Sequence, residues 1–200
     1  MKKGFTLLEL LIVIGILAIL ATTVVLVINP VQLLKKARDS QRMNDLSSLT
    51  TAIAFYVTET SSSTGSIYTA QTYADVAGAS CYAGAATSTA VALTTDGDGW
   101  IPINFNGMAG GSPIGSLPHD PNITTVGASP GRYYVYEVGD ITNRTFKLVA
   151  NMESTYYTTG GDGDVETNDG GTEITLYEIG TDMDVAIATL TATCYYTAGE

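Results

Sequence analysis

Residues 10–28 form an uncharged apolar run of 19, about 28 Å long if helical. That nearly spans the hydrocarbon core of a bilayer, so a helix in an apolar layer is the first expectation. Lys2 and Lys3 stand ahead of the run, as in a secretory signal. No small-residue cleavage site follows it, so the run is read as retained.

Glu9 sits at the edge of this run. A carboxylate is costly there: it either marks function or snorkels to the interface. Taken together, Lys2, Lys3, Gly4, Phe5, Thr6, Leu7, Leu8, Glu9 and Leu10 resemble the processing signature of type IV pilins and type II secretion pseudopilins. The signature fixes a basic leader, a Gly before an aromatic residue, a Glu four residues on, and then the apolar span. The resemblance implies a leader of residues 1–4, cut by a prepilin peptidase between Gly4 and Phe5 on the cytoplasmic side, with N-methylation of the new Phe5 amine. It also implies that Glu9 faces the Phe5 amine of a neighbouring subunit. A cation delivered at the same depth compensates a carboxylate in lipid, so the pair would select and register incoming subunits.

Pro30 follows Asn29 at the end of the run. Proline removes a backbone donor and disfavours helix in the residue before it, so a kink, a short unwound stretch or a clean helix end is expected. Helix then resumes to about Tyr56, because Leu46, Leu49, Ile53 and Tyr56 recur at spacings of three, four and three and lay one apolar stripe against a head. Lys35, Lys36, Arg38 and Arg42 fall on other faces, where they would meet lipid head groups, acidic neighbours or plain solvent. They oppose the positive-inside bias of Lys2 and Lys3, so orientation follows from the resemblance and not from charge counting.

Charge divides the chain. Residues 1–45 hold six Lys/Arg against three acids, and residues 46–200 hold three against seventeen. A head so poor in cations repels phosphate backbones, which argues against direct nucleic-acid binding. Beyond Tyr56 the composition turns to Ser, Thr, Gly, Ala and Tyr, with loop-like stretches at 58–66 and 77–90. Strand candidates are 100–105, 132–138, 145–152 and 174–179, with 186–196 weaker. The second and third read as an antiparallel hairpin. A long helix followed by strands argues for an α+β fold, with a small antiparallel sheet on the helix's apolar stripe. The expected organisation is a leader at 1–4, a transmembrane or filament-core helix at 5–29, an amphipathic continuation at 30–57 and a β-rich head at 58–200. Leu117, Pro118, His119, Asp120 and Pro121, leading towards Tyr133, Tyr134, Val135 and Tyr136, resemble the pilin head more weakly.

Cys81 and Cys194 are the only cysteines and lack zinc-type spacing. They read either as a single disulfide in an oxidising compartment or as two buried thiols. Asp162, Asp164, Glu166 and Asn168, with Glu173 eleven residues after Asp162, imitate the oxygen ligands of an EF-hand loop. Thr167 stands where that loop needs Gly and no helices flank it, so calcium competes with a solvated acidic turn; no other cofactor is expected. Asp96-Gly97-Asp98-Gly99 is a shorter acidic turn. His119, the only histidine, reads as a turn residue with no acid and nucleophile assembled around it. Asn122 and Asn143 head glycosylation patterns of a kind that arises often by chance.

The functional expectation is a structural subunit of a type IV pilus-like filament, not an enzyme. It would be anchored in the cytoplasmic membrane as a precursor and then become extracellular. What the resemblance implies as partners are copies of itself, the peptidase, an assembly ATPase and an inner-membrane platform. A type II secretion pseudopilin, with a periplasmic piston, shares the same N-terminal chemistry. A membrane-tethered adhesin or binding module is the alternative of another class.

Overall fold

The computed structural model describes residues 4–60, 72–74, 92–122, 134–139 and 144–185. Two helices come first, α1 (Leu7–Ile28) and α2 (Pro30–Glu59). Four short strands follow: β1 (Thr72–Ala74), β2 (Val135–Val138), β3 (Phe146–Ala150) and β4 (Tyr177–Gly180). They form one antiparallel sheet in the order β1-β2-β3-β4. The α+β expectation holds, with a long apolar helix ahead of a helix packed on a small sheet.

The helices meet at a joint that the sequence anticipates. Asn29 takes a left-handed conformation (φ 45°) and ends α1. Asparagine tolerates that region better than most residues, because its short polar side chain bonds locally. The same residue caps α2: its side chain accepts from the Gln32 N–H at 3.4 Å and its carbonyl from the Leu33 N–H at 3.3 Å. Pro30 occupies the first helical position, where its missing N–H costs nothing.

The spacing read along α2 places the core. Leu46, Leu49, Ala52 and Ile53 are fully buried against Tyr136 and Val138 of β2, Phe146, Leu148 and Ala150 of β3, and Trp100, Ile101, Ile103, Phe105 and Leu117 from the loops. Tyr56 packs edge-on to Phe105, with centroids 5.9 Å apart and planes at 78°. Arg144, itself at φ 55° just before β3, donates to the Thr60 carbonyl at 2.9 Å. A cation is thus set where the α2 dipole is negative.

Within the 132–138 and 145–152 expectations, whose residues 132 and 133 lie outside the described residues, the strands are the shorter β2 and β3, which pair antiparallel with Tyr136 opposite Leu148. The 174–179 strand begins later, at Tyr177, because residues before it turn, with the Leu176 N–H donating to the Glu173 carbonyl. Residues 100–105 are not a strand. Pro102 denies that stretch a ladder donor, and it makes an isolated bridge, Asp96 to Asn104, before a 3-10 turn at Phe105–Gly107. The 186–196 candidate, Cys81, Cys194 and Asn143 lie outside the described residues. Strand β1 falls between two stretches read as loop and was not anticipated.

Candidate functional site

The N-terminal end of α1 is built by a local hydrogen-bond device. Thr6 caps α1: its hydroxyl oxygen accepts from the Glu9 N–H at 3.2 Å, while Glu9 Oε2 accepts from the Thr6 N–H at 3.1 Å and from the Thr6 hydroxyl at 3.0 Å. This reciprocal capping box satisfies helix-end donors that otherwise lack partners. It also places the Glu9 carboxylate at the negative-seeking end of the helix dipole, bonded to Thr6, the residue after Phe5. Gly4 and Phe5 lie exposed before the helix starts. The Thr-x-x-Glu spacing that signals this box is visible in the sequence, where Glu9 reads instead as a snorkelling carboxylate or a partner for another chain.

Along α1, the window Leu7–Val24 is long and apolar enough to cross a membrane and none of it is buried by the rest of the chain. An isolated span of this kind needs an apolar environment from elsewhere, either lipid or other copies.

Where α2 meets the head, an ion cluster within the chain takes up Arg38 and Arg42, which the sequence places on faces that meet lipid head groups, acidic neighbours or solvent. Arg42 is fully buried, not exposed. Its guanidinium forks onto Asp120, with Nε to Oδ2 at 2.7 Å and Nη2 to Oδ1 at 3.0 Å. Nη1 donates to Asp39 Oδ1 at 2.6 Å and to Glu153 Oε2 at 3.4 Å. Arg38 forks onto Glu153 from one turn earlier. Asp39 in turn accepts the backbone N–H groups of Glu153 at 2.8 Å and Ser154 at 2.7 Å. Burial alone would lower the Arg42 pKa, but the bonds to Asp120 and Asp39 outweigh it and raise it, so the cation is held firmly. Two neighbours complete this face of the head. Tyr134 donates its hydroxyl to Asp45 at 2.9 Å, and Trp100 donates its indole N–H to the Pro118 carbonyl at 2.9 Å. His119, between Pro118 and Asp120, is exposed.

The acidic loop does not assemble as a ligand ring. Glu166 is buried: its carboxylate accepts from the Met152 N–H at 3.1 Å and the Thr159 N–H at 2.9 Å, and burial raises its pKa. Asp164 accepts from the Thr167 hydroxyl at 2.6 Å and the Gly160 N–H at 2.8 Å, bonds that lower its pKa. Asn168 donates to the Asp164 carbonyl at 2.8 Å, Asp162 is exposed, and the Glu173 N–H donates to Glu178 at 3.0 Å. The side chains of Asp164, Glu166 and Asn168 thus bond the backbone of the loop and its flank. Among the described residues no group of three or more His, Cys, Asp or Glu is placed to hold a metal.

A family model, the prokaryotic N-terminal methylation motif, matches residues 1–25. The chain therefore carries the type IV pilin and pseudopilin signature, as its first residues suggested. The match runs from the first residue into α1, and supports a precursor of pilin or pseudopilin type, which points to a structural subunit. Comparison with curated proteins and with solved structures gave no match.

Proposed function

We propose that this chain is the precursor of a filament subunit, cut after Gly4, N-methylated at Phe5, and polymerised through α1 into a type IV pilus-like fibre for attachment, motility or uptake. One observation carries the reading: the methylation motif at residues 1–25 runs into an apolar helix whose window Leu7–Val24 is left unburied. A membrane holds that helix in the precursor, and other copies of it in the fibre. The apolar surface is the same in both settings, so transfer between them exposes little of it to water.

In the precursor Glu9 is occupied by its own Thr6. Pairing with a neighbour's Phe5 amine would exchange bonds from neutral donors for one from a cation, so that both partners are charged. The test is mass spectrometry of assembled material, where the first residue should be N-methyl-Phe5. An intact Met1 in the fibre would sink the proposal. Filaments imaged on the cell surface support the pilus, whereas filaments confined to the periplasm place the same chemistry in a type II secretion pseudopilin.

A further inference from the structure

Just past the joint, three kinds of side chain gather at one level. Val31, Leu33 and Leu34 begin α2 and stay 58%, 53% and 62% exposed. Lys35 and Lys36 come next in the chain. The third component comes from far along the sequence. The turn at 154–158 is tied to the start of α2: the Thr155 N–H and hydroxyl both donate to Gln32 Oε1, at 3.2 and 3.3 Å, and the Tyr157 hydroxyl lies 3.3 Å from Ser40 Oγ. Tyr156, still exposed, lies beneath Lys36, whose Nζ is 3.3 Å from the ring centroid. Gly163 fixes that ring, because a Cβ there would stand 2.2 Å from Tyr156 Cε1.

This collar has the make-up of a membrane-interface belt, apolar stems followed by lysines and an amphipathic aromatic ring. Its position agrees. Lys36 is eight residues past Ile28, at most about 12 Å along a helix, so whatever angle α2 takes, the collar stays beside the end of the apolar span. Its charge agrees too. Residues 46–200 carry seventeen acids against three Lys/Arg, a balance that an anionic leaflet repels, whereas lysines close to that surface are attracted to it.

We infer that the collar of Val31, Leu33, Leu34, Lys35, Lys36 and Tyr156 docks the head on the anionic lipid surface of the bilayer that holds α1, and so orients the head before the subunit leaves the membrane. The inference rests on the membrane-anchored reading above. To test it, the full-length chain is reconstituted below one copy per vesicle in mixed phosphatidylglycerol and phosphatidylcholine. Tyr156→Trp supplies a reporter over the background of Trp100, which is fully buried. The emission added by Y156W should be quenched at least twofold by lipids brominated near the head group and shielded from aqueous iodide. Both effects should shrink severalfold in a Y156W variant that also carries K35E and K36E, and in vesicles of phosphatidylcholine alone. A second arm leaves Tyr156 in place: backbone hydrogen exchange at 154–158 in the natural chain should slow on adding phosphatidylglycerol. Full iodide access with no lipid quenching, together with unchanged exchange, overturns the inference. Protection seen only when several copies share a vesicle overturns it in favour of a second copy as the occupant. A chain that does not stay with the vesicles refutes the membrane reading itself, whereas an anchored chain with an unprotected Tyr156 refutes the collar alone.

Discussion

Replacing Arg42 by Met keeps most of the buried stem and removes the charge that three carboxylates share. Asp39 and Asp120 have no solvent-exposed side-chain surface and Glu153 keeps 7%. Arg38 still pairs with Glu153, whereas Asp120, which also accepts the Asn122 N–H at 2.8 Å, loses the cation whose two nitrogens donate to it at 2.7 and 3.0 Å. Breaking a buried pair on one side leaves an uncompensated charge and costs about 3–5 kcal/mol. That is a large share of the 5–15 kcal/mol, roughly, that holds an ordinary domain folded. For a chain of this size it corresponds to a fall in melting temperature of roughly 6–20 °C. The assay is urea unfolding of the full chain in detergent micelles, followed by the near-ultraviolet circular dichroism of Trp100, whose indole is bonded to the segment that carries Asp120. Salt should change the loss little, because buried pairs are weakly screened. Adding Asp120→Asn to Arg42→Met should recover part of it by removing one stranded charge. A loss below about 1 kcal/mol, the worth of an exposed ion pair, would refute the reasoning.

Glu9→Ala should leave the head's melting unchanged but cut filament yield at least tenfold, since a buried amine without its partner costs several kcal/mol and about 1.4 kcal/mol is a factor of ten; normal yield on electron-microscope grids would remove Glu9 from assembly. Burial, and then Asp45, raise the Tyr134 pKa well above that of a free tyrosine, so above about pH 10 the unfolded chain loses a proton that the folded one keeps. Stability should therefore fall with rising pH by up to about 1.4 kcal/mol per unit on this account, and Tyr134→Phe should flatten the slope; identical slopes in alkaline urea titrations would contradict it. Glu166→Ala strands the buried Met152 N–H and takes one acceptor from the part-buried Thr159 N–H, and should cost about 1–3 kcal/mol by thermal melting. Calcium or a chelator should leave the melting temperature of the unmutated chain in place, and a rise of several degrees that Asp162→Ala and Asp164→Ala abolish would restore the loop as a calcium site.

Much of the frame was legible because it rests on local rules. The spacing of Leu46, Leu49 and Ile53 found the buried face of α2, the Asn29–Pro30 pair found the joint, and β-branched and aromatic runs found the β2–β3 hairpin. Arg42 was misread for a physical reason. Its companion Asp39 is three residues away and visible, but Asp120 is 78 residues away, and only the fold brings it close enough to justify burying the charge. The acidic loop was ambiguous in another way: carboxylates that bind a cation and carboxylates that accept backbone N–H groups have the same composition. In Glu166 and Asp164 the structure shows the second use. The processing end was read from its motif, yet the capping box within it went unnoticed, although Thr6 and Glu9 stand at the spacing that defines one.

The break at Asn29 has a mechanical consequence. In the fibre proposed above, a pull along the subunit runs down two ladders of hydrogen bonds, and at this residue the ladders are not joined: α1 ends before it and α2 begins anew after it. Load there passes through the covalent backbone and the first bonds of α2, in which the Asn29 carbonyl accepts from the Gln32 and Leu33 N–H groups at 3.0 and 3.3 Å and the Asn29 side chain from the Gln32 N–H at 3.4 Å. Each residue drawn from helix to extended chain lengthens the subunit by about 2 Å. Stretching should begin at the first turn of α2 and stop where Asp39 grips the backbone of Glu153 and Ser154, so the joint would give under tension while the head stays folded.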